Sequence, residues 1–129
     1  MSYYFSKILV GSSYEEAIKK VTEELEKEGF GVLTEVDVKE TFKKKLNVDF
    51  KKYKILGACR PKSAYEALGV EDKVGLFFPC NIVVEEHENG GVEVSAIDPM
   101  ALMISVKNEA IACISSEIRK KLRRVIDSL

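Results

Sequence analysis

Apolar residues recur along this chain at two periods, and the switches between them outline alternating strands and helices. Phe5, Ile8 and Val10 mark residues 3 to 11 as a strand entering a turn, stopped by Gly11. Ser13-Tyr14-Glu15-Glu16 then reads as a capping box, the serine accepting from an orphan helix N–H while Glu16 reaches back. Tyr14, Ala17, Ile18, Val21 and Leu25 follow at helical spacing, and Gly29 supplies a left-handed stop. Phe30 to Val36 reads as a second strand, and Val38, Phe42 and Leu46, spaced by four, predict a short helix after it.

Tyr53 to Cys59 is a further strand-like run. Pro61 suits the first turn of a helix, where its missing N–H costs nothing, and Gly69 suits its end. Ala64, Tyr65 and Leu68 give that helix an apolar face. The most apolar stretch, Val74 to Val84, predicts a strand, and Pro79 within it implies an edge position or a bulge. Glu88-Asn89-Gly90-Gly91 predicts a hairpin leading into Val92 to Ile97, which Asp98-Pro99 ends. Ile111, Ile114, Ile118, Leu122, Val125 and Leu129 form one stripe of a long final helix.

The predicted order is β-α-β-(α)-β-(α)-β-β-α, with no repeat, low-complexity tract or linker. Five strands with helices at both chain ends predict an α+β, two-layer sandwich: one mostly antiparallel sheet covered on one face, in a single domain over residues 1–129. A chain of 129 residues can bury a core without disulfide or metal staples. A formal net charge of -1 argues against non-specific nucleic-acid binding by the whole surface. No apolar run is long enough for a membrane span, and the opening Met-Ser-Tyr-Tyr-Phe-Ser-Lys lacks the pattern of a signal peptide. Three widely spaced cysteines fit a reducing compartment, so a cytoplasmic location is expected.

Two motifs carry candidate chemistry, Gly57-Ala58-Cys59-Arg60-Pro61 and Pro79-Cys80-Asn81. Cys59 falls just before a predicted helix N-terminus and beside Arg60, two features that stabilise a thiolate and would bring its pKa below the free-thiol value of about 8.5. If the two motifs end neighbouring strands, Cys59 and Cys80 line one pocket. Both cysteines read more readily as small buried apolar residues. No C-x-x-C occurs, and the only histidine, His87, reads as a solvated residue near a hairpin tip, so no metal site is expected. Nothing identifies a cofactor, and no Cys-His or Ser-His-Asp set or phosphate-binding glycine motif is present.

Basic residues cluster at Lys39, Lys43, Lys44, Lys45, Lys51, Lys52 and Lys54, and again at Arg119, Lys120, Lys121, Arg123 and Arg124. They read as solvated surface, offset by acidic residues elsewhere. The first turn of the last helix is apolar all round at Ala110, Ile111, Ala112, Cys113 and Ile114. One sheet face covers only a stripe of a helix, so a loop or a second subunit should cover the rest. A homodimer is expected, with the stretch around Pro79 as an edge strand, or the start of this helix, in the contact.

The run Tyr53 to Cys59 with Pro61 and Ala64, followed by Gly75-Leu76, Pro79-Cys80-Asn81 and Asp98-Pro99, resembles the domain-of-unknown-function family numbered 302. The capped first helix and the Lys/Arg-rich last helix extend that resemblance over essentially the whole chain. It implies a two-layer fold similar to the β-α-β(4)-α arrangement of TATA-binding-protein-like domains, and a homodimer. It implies motif positions at Cys59, Pro61, Pro79, Cys80, Asn81 and Pro99, but no activity. This chain departs from the family in carrying Arg60 where asparagine is usual, and arginine has no acceptor with which to cap a helix.

The leading functional expectation is a homodimeric small-ligand-binding or interaction domain. Its pocket is expected near the two motifs, at Cys59, Arg60, Pro61, Pro79, Cys80, Asn81 and Asp98. The alternative is a thiol-dependent enzyme or redox sensor using Cys59. Nucleic-acid binding through the basic clusters is the weaker third reading.

Overall fold

The computed structural model describes residues 2–102 and 105–129. Strands β1 (Tyr4–Leu9), β2 (Gly31–Asp37), β3 (Tyr53–Cys59), β4 (Cys80–Glu86) and β5 (Val92–Ile97) form one sheet in the order β1-β5-β4-β3-β2, and every neighbouring pair is antiparallel. Helices α1 (Tyr14–Lys27), α2 (Val38–Leu46), α3 (Pro61–Val70), α4 (Pro99–Leu102) and α5 (Glu109–Asp127) fill the intervals. The first two strands therefore lie at opposite edges, and α1 crosses between them beneath the sheet.

Local chemistry starts and stops these helices as the sequence implies. Ser13 Oγ accepts from Glu16 N at 3.1 Å and Ser13 N donates to Glu16 Oε1 at 3.2 Å, closing the capping box. Gly29 leaves α1 at a φ of +86°, a value that disfavours residues bearing a Cβ. Asp37 and Asn108 cap α2 and α5 through their side chains.

Alternation along the strands sends Leu56, Ile82, Val84, Val92, Val94 and Ala96 to one face, where they meet Ala17, Val21 and Leu25 of α1 and Leu122, Val125 and Ile126 of α5. This is the core, and the two long helices cover one face of the sheet only. Among the described residues no helix is long and apolar enough to cross a membrane.

Two expectations are corrected. The stretch from Val74 is not a continuous strand, because Asp72–Phe77 forms a 3-10 turn. Its three-residue period puts Val74 and Phe77 on one side, and there they join Ala67 of α3 and Ile111 of α5 in a second small core. Burial of that face overrides the strand propensity of the sequence. Pro79, joined to Phe78 by a cis peptide bond, stands just ahead of β4 and is not within it. Since β4 runs between β5 and β3, Pro79 marks the entrance to a central strand and no edge.

At the start of α5, the expected covering surface comes from the chain itself. Ile111 is buried and Ile114 half-buried within the chain's own second core, built by α3, the 3-10 turn and the segment before α5. Only Ala110 and Cys113 of that turn remain exposed. The apolar turn is covered mostly from within.

Candidate functional site

The two cysteine motifs do meet. Ala58 pairs with Cys80 across β3 and β4, so Cys59 and Cys80 lie at the same end of adjacent strands. Together with Arg60, Pro79, Ala64 and Phe78 they line one cavity. That cavity holds only about 20 Å³, space for a single water and too little for an organic ligand.

Its electrostatics also run against a reactive thiol. Burial pushes the Cys59 thiol up, and burial followed by the neighbouring Cys59 pushes Cys80 up to about 11. The Cys59 shift thus runs opposite to the expected lowering, with burial as its cause. Pro61 opens α3 at its first turn. Arg60, at the cap position, offers no side-chain cap and turns back over Gly29, where its Nε would lie 3.2 Å from a Cβ. Arg60 Nη1 donates to the buried Ser63 Oγ at 2.8 Å and stands 3.8 Å from Glu117 Oε1. These contacts anchor the β3–α3 junction.

Asp98 and Asn81 lie elsewhere. Asp98 is buried at the end of β5, where Oδ1 accepts from Met100 N at 3.0 Å and Oδ2 accepts from Arg119 Nε at 3.1 Å. It caps α4 and ties it to α5. Asn81 points to the other face of the sheet, since Cys80 and Ile82 on either side of it are buried in the core.

Neither of the two long helices covers that other face. A concave groove of about 310 Å³ lies on it, walled by Tyr3, Tyr4 and Tyr53 and floored by Asn81, Val83, Glu85, Glu93, Ser95 and Ile97. Strand register builds the groove: Tyr53 stands opposite Glu85, Glu85 opposite Glu93, and Tyr4 opposite Ile97. Lys51 Nζ pairs with Glu85 Oε1 at 2.6 Å and sits 5.9 Å from the Tyr53 ring centre. Burial first, then the Glu85 carboxylate, raises the Tyr53 phenol above its ordinary range.

His87 closes one end of this surface. It is not a freely solvated turn residue. Its N–H donates to Gly91 O at 2.8 Å, which extends the β4–β5 ladder one pair beyond the regular strands. Gly90 makes the turn itself, with a φ of +88°. The imidazole thus shares a face with Glu85, and its Nε2 lies 2.8 Å from Glu93 Oε1, a diagonal cross-strand contact. Donor atoms of Glu85, His87 and Glu93 all lie within 4.8 Å of one another.

With the geometry in place, comparison with known proteins decides the family. The family model described as Domain of unknown function DUF302 matches residues 7–129. The chain belongs to the DUF302 family. It is also similar to a solved structure described as the crystal structure of uncharacterized conserved protein DUF302 from Bacillus stearothermophilus, at 31% identity and a TM-score of 0.89, covering 98% of each chain. No curated protein matches the chain. The expected α+β sandwich and the family resemblance both stand.

Of the groove residues, only Tyr53, at the start of the Tyr53–Cys59 run, and Asn81 fall within the motifs that carry the family resemblance. The signal was present in the hairpin. Once residues 88–90 are taken as the turn, counting back along both strands sets Glu85 against Glu93 and puts His87 on their face.

Proposed function

We propose that this DUF302 protein is a small-ligand-binding domain whose binding surface is the sheet face away from the two long helices, not the cysteine cavity. The groove carries this reading: about 310 Å³ falls within the size range of small-molecule sites, whereas the space between Cys59 and Cys80 does not. Its tyrosine walls suit a flat or apolar body. Glu85 and Glu93 can only accept hydrogen bonds when ionised, so the ligand offers donors, as an amine or amidine does. A cytoplasmic setting belongs to this reading, supported by three free cysteines.

Thermal-shift titration with a panel of small aromatic amines and amidines tests it. At least one compound should stabilise the protein, and Tyr53→Ala should weaken that compound by about tenfold, the loss of one well-packed aromatic contact. A panel without effect, or binding untouched by Tyr53→Ala, contradicts it.

A second reading, a homodimer through the same face, rests on a different observation. Antiparallel sheets with a solvated face alternate apolar and polar residues. Here Tyr4, Ile8 and Val36 are exposed on the outward face at 41%, 58% and 45%, alongside half-buried Ile55, Val83 and Ile97. A second copy laid face to face would cover both stripes at once. Analytical ultracentrifugation should then give twice 14.5 kDa, reverting to monomer in Ile8→Asp.

The thiol reading is weakened by the raised cysteines. The nucleic-acid reading is weakened because many clustered cations are already paired, Lys44 with Glu40, Lys51 with Glu85, Arg119 with Asp98 and Arg124 with Glu28.

A further inference from the structure

Two carboxylates face each other across β4 and β5. Glu85 and Glu93 are direct partners in the ladder, and their side chains are only 15% and 21% exposed. Like charges directly opposite on neighbouring strands destabilise a sheet, the more so as water is excluded. Lys51 offsets Glu85 through one oxygen, Oε1. Glu93 has the His87 imidazole, which in its neutral form supplies a hydrogen bond and no charge. A cation placed among these three groups would offset both carboxylates together.

The donor set fits such an ion. One imidazole nitrogen and two carboxylate oxygens come from a single antiparallel hairpin, whose backbone is fixed by the His87 N to Gly91 O bond of 2.8 Å and the Gly90 N to His87 O bond of 2.9 Å. A separation of at most 4.8 Å between donor atoms needs only small side-chain rotations to reach metal bonds of about 2.0–2.2 Å. Nitrogen with carboxylate oxygen suits zinc, cobalt, nickel or manganese. Calcium and magnesium prefer oxygen alone, and copper(I) prefers sulfur.

We propose that Glu85, His87 and Glu93 form a three-ligand site for a divalent first-row metal ion at the end of the sheet-face groove. Three protein ligands leave at least one coordination position for water or for a donor atom of a groove ligand. The site does not depend on what the groove binds, because the three ligands and their register stand without it.

The test uses the full chain freed of metal by dialysis against a chelator, with cobalt(II) and zinc(II) chloride as the only probes. Cobalt should produce d–d absorption bands, and calorimetry with zinc should give one ion per chain. His87→Gln and Glu93→Gln should each weaken binding by about tenfold or more, and Cys113→Ser should leave it unchanged. Circular dichroism of the variants confirms that they remain folded. Absence of d–d bands and of binding heat in the unmutated protein would overturn the proposal. So would affinity unchanged in folded His87→Gln and Glu93→Gln. Because no organic ligand is present, failure here is distinguishable from failure of the amine panel.

Discussion

Pro79 packs its ring directly over Gly57 of the neighbouring strand. A Cβ at Gly57 would stand 2.6 Å from Pro79 Cγ and would also overlap Thr34 Oγ1. Thr34 is the partner of Gly57 on β2, and Asn81 is its partner on β4. Glycine is required here by close approach, since only a hydrogen fits between the proline ring and the threonine.

Gly57→Ala should therefore destabilise the fold by about 1–3 kcal/mol, the usual cost of forcing an extra methyl into a packed site. The threonine can rotate away but the proline ring cannot, so Thr34→Ala should recover only part of the loss. Urea unfolding should show a lower midpoint with an unchanged slope in Gly57→Ala.

Cysteine reactivity should follow exposure and desolvation, not proximity to Arg60. Cys113 is exposed, Cys59 is half-buried with its thiol pushed up, and Cys80 is buried with its thiol near 11. Mass-resolved alkylation at neutral pH should label Cys113 first and Cys80 last, with Cys80 slower than Cys113 by more than about tenfold because so little thiolate forms. Labelling of Cys59 ahead of Cys113 would contradict this and revive a thiol mechanism.

Acid stability should depend on Glu28. Its two oxygens accept from Arg124 at 2.8 and 3.2 Å, and that pairing holds its carboxyl below the usual range. A depressed acid contributes stability above its unfolded pKa, about 4.3, and loses it as the pH falls through its lower folded value. Glu28→Gln should thus lower stability at neutral pH and flatten the decline below about pH 4. The exposed position of Arg124 keeps the effect modest. Parallel pH-dependent melts of the two proteins check this.

Much of the scaffold was legible because periodicity and punctuation agreed. The Ser13 box, Gly29 and the Gly90 turn each did in the structure what their local chemistry implied. Val74–Phe77 departs from the expected strand because a short apolar run carries no period that separates strand from turn, and its conformation depends on a partner, Ile111, far along the chain. Proline and cysteine interrupt the strands at the two motifs, yet there they pack a junction. Groove residues such as Tyr53, Glu85 and Ser95 are ordinary alternating strand positions. They become a site only when four strands are placed in register, which depends on long-range pairing.

Which face of the sheet binds is the central question, and backbone amide NMR of the labelled protein answers it most directly. Titration with the strongest amine from the panel should shift the amides of Tyr53, Asn81, Glu85, Glu93 and Ser95, while Cys59, Arg60 and Ala64 stay in place. Shifts confined to Cys59, Arg60 and Ala64, with the sheet face unmoved, would contradict the account and return the site to the cysteine cavity.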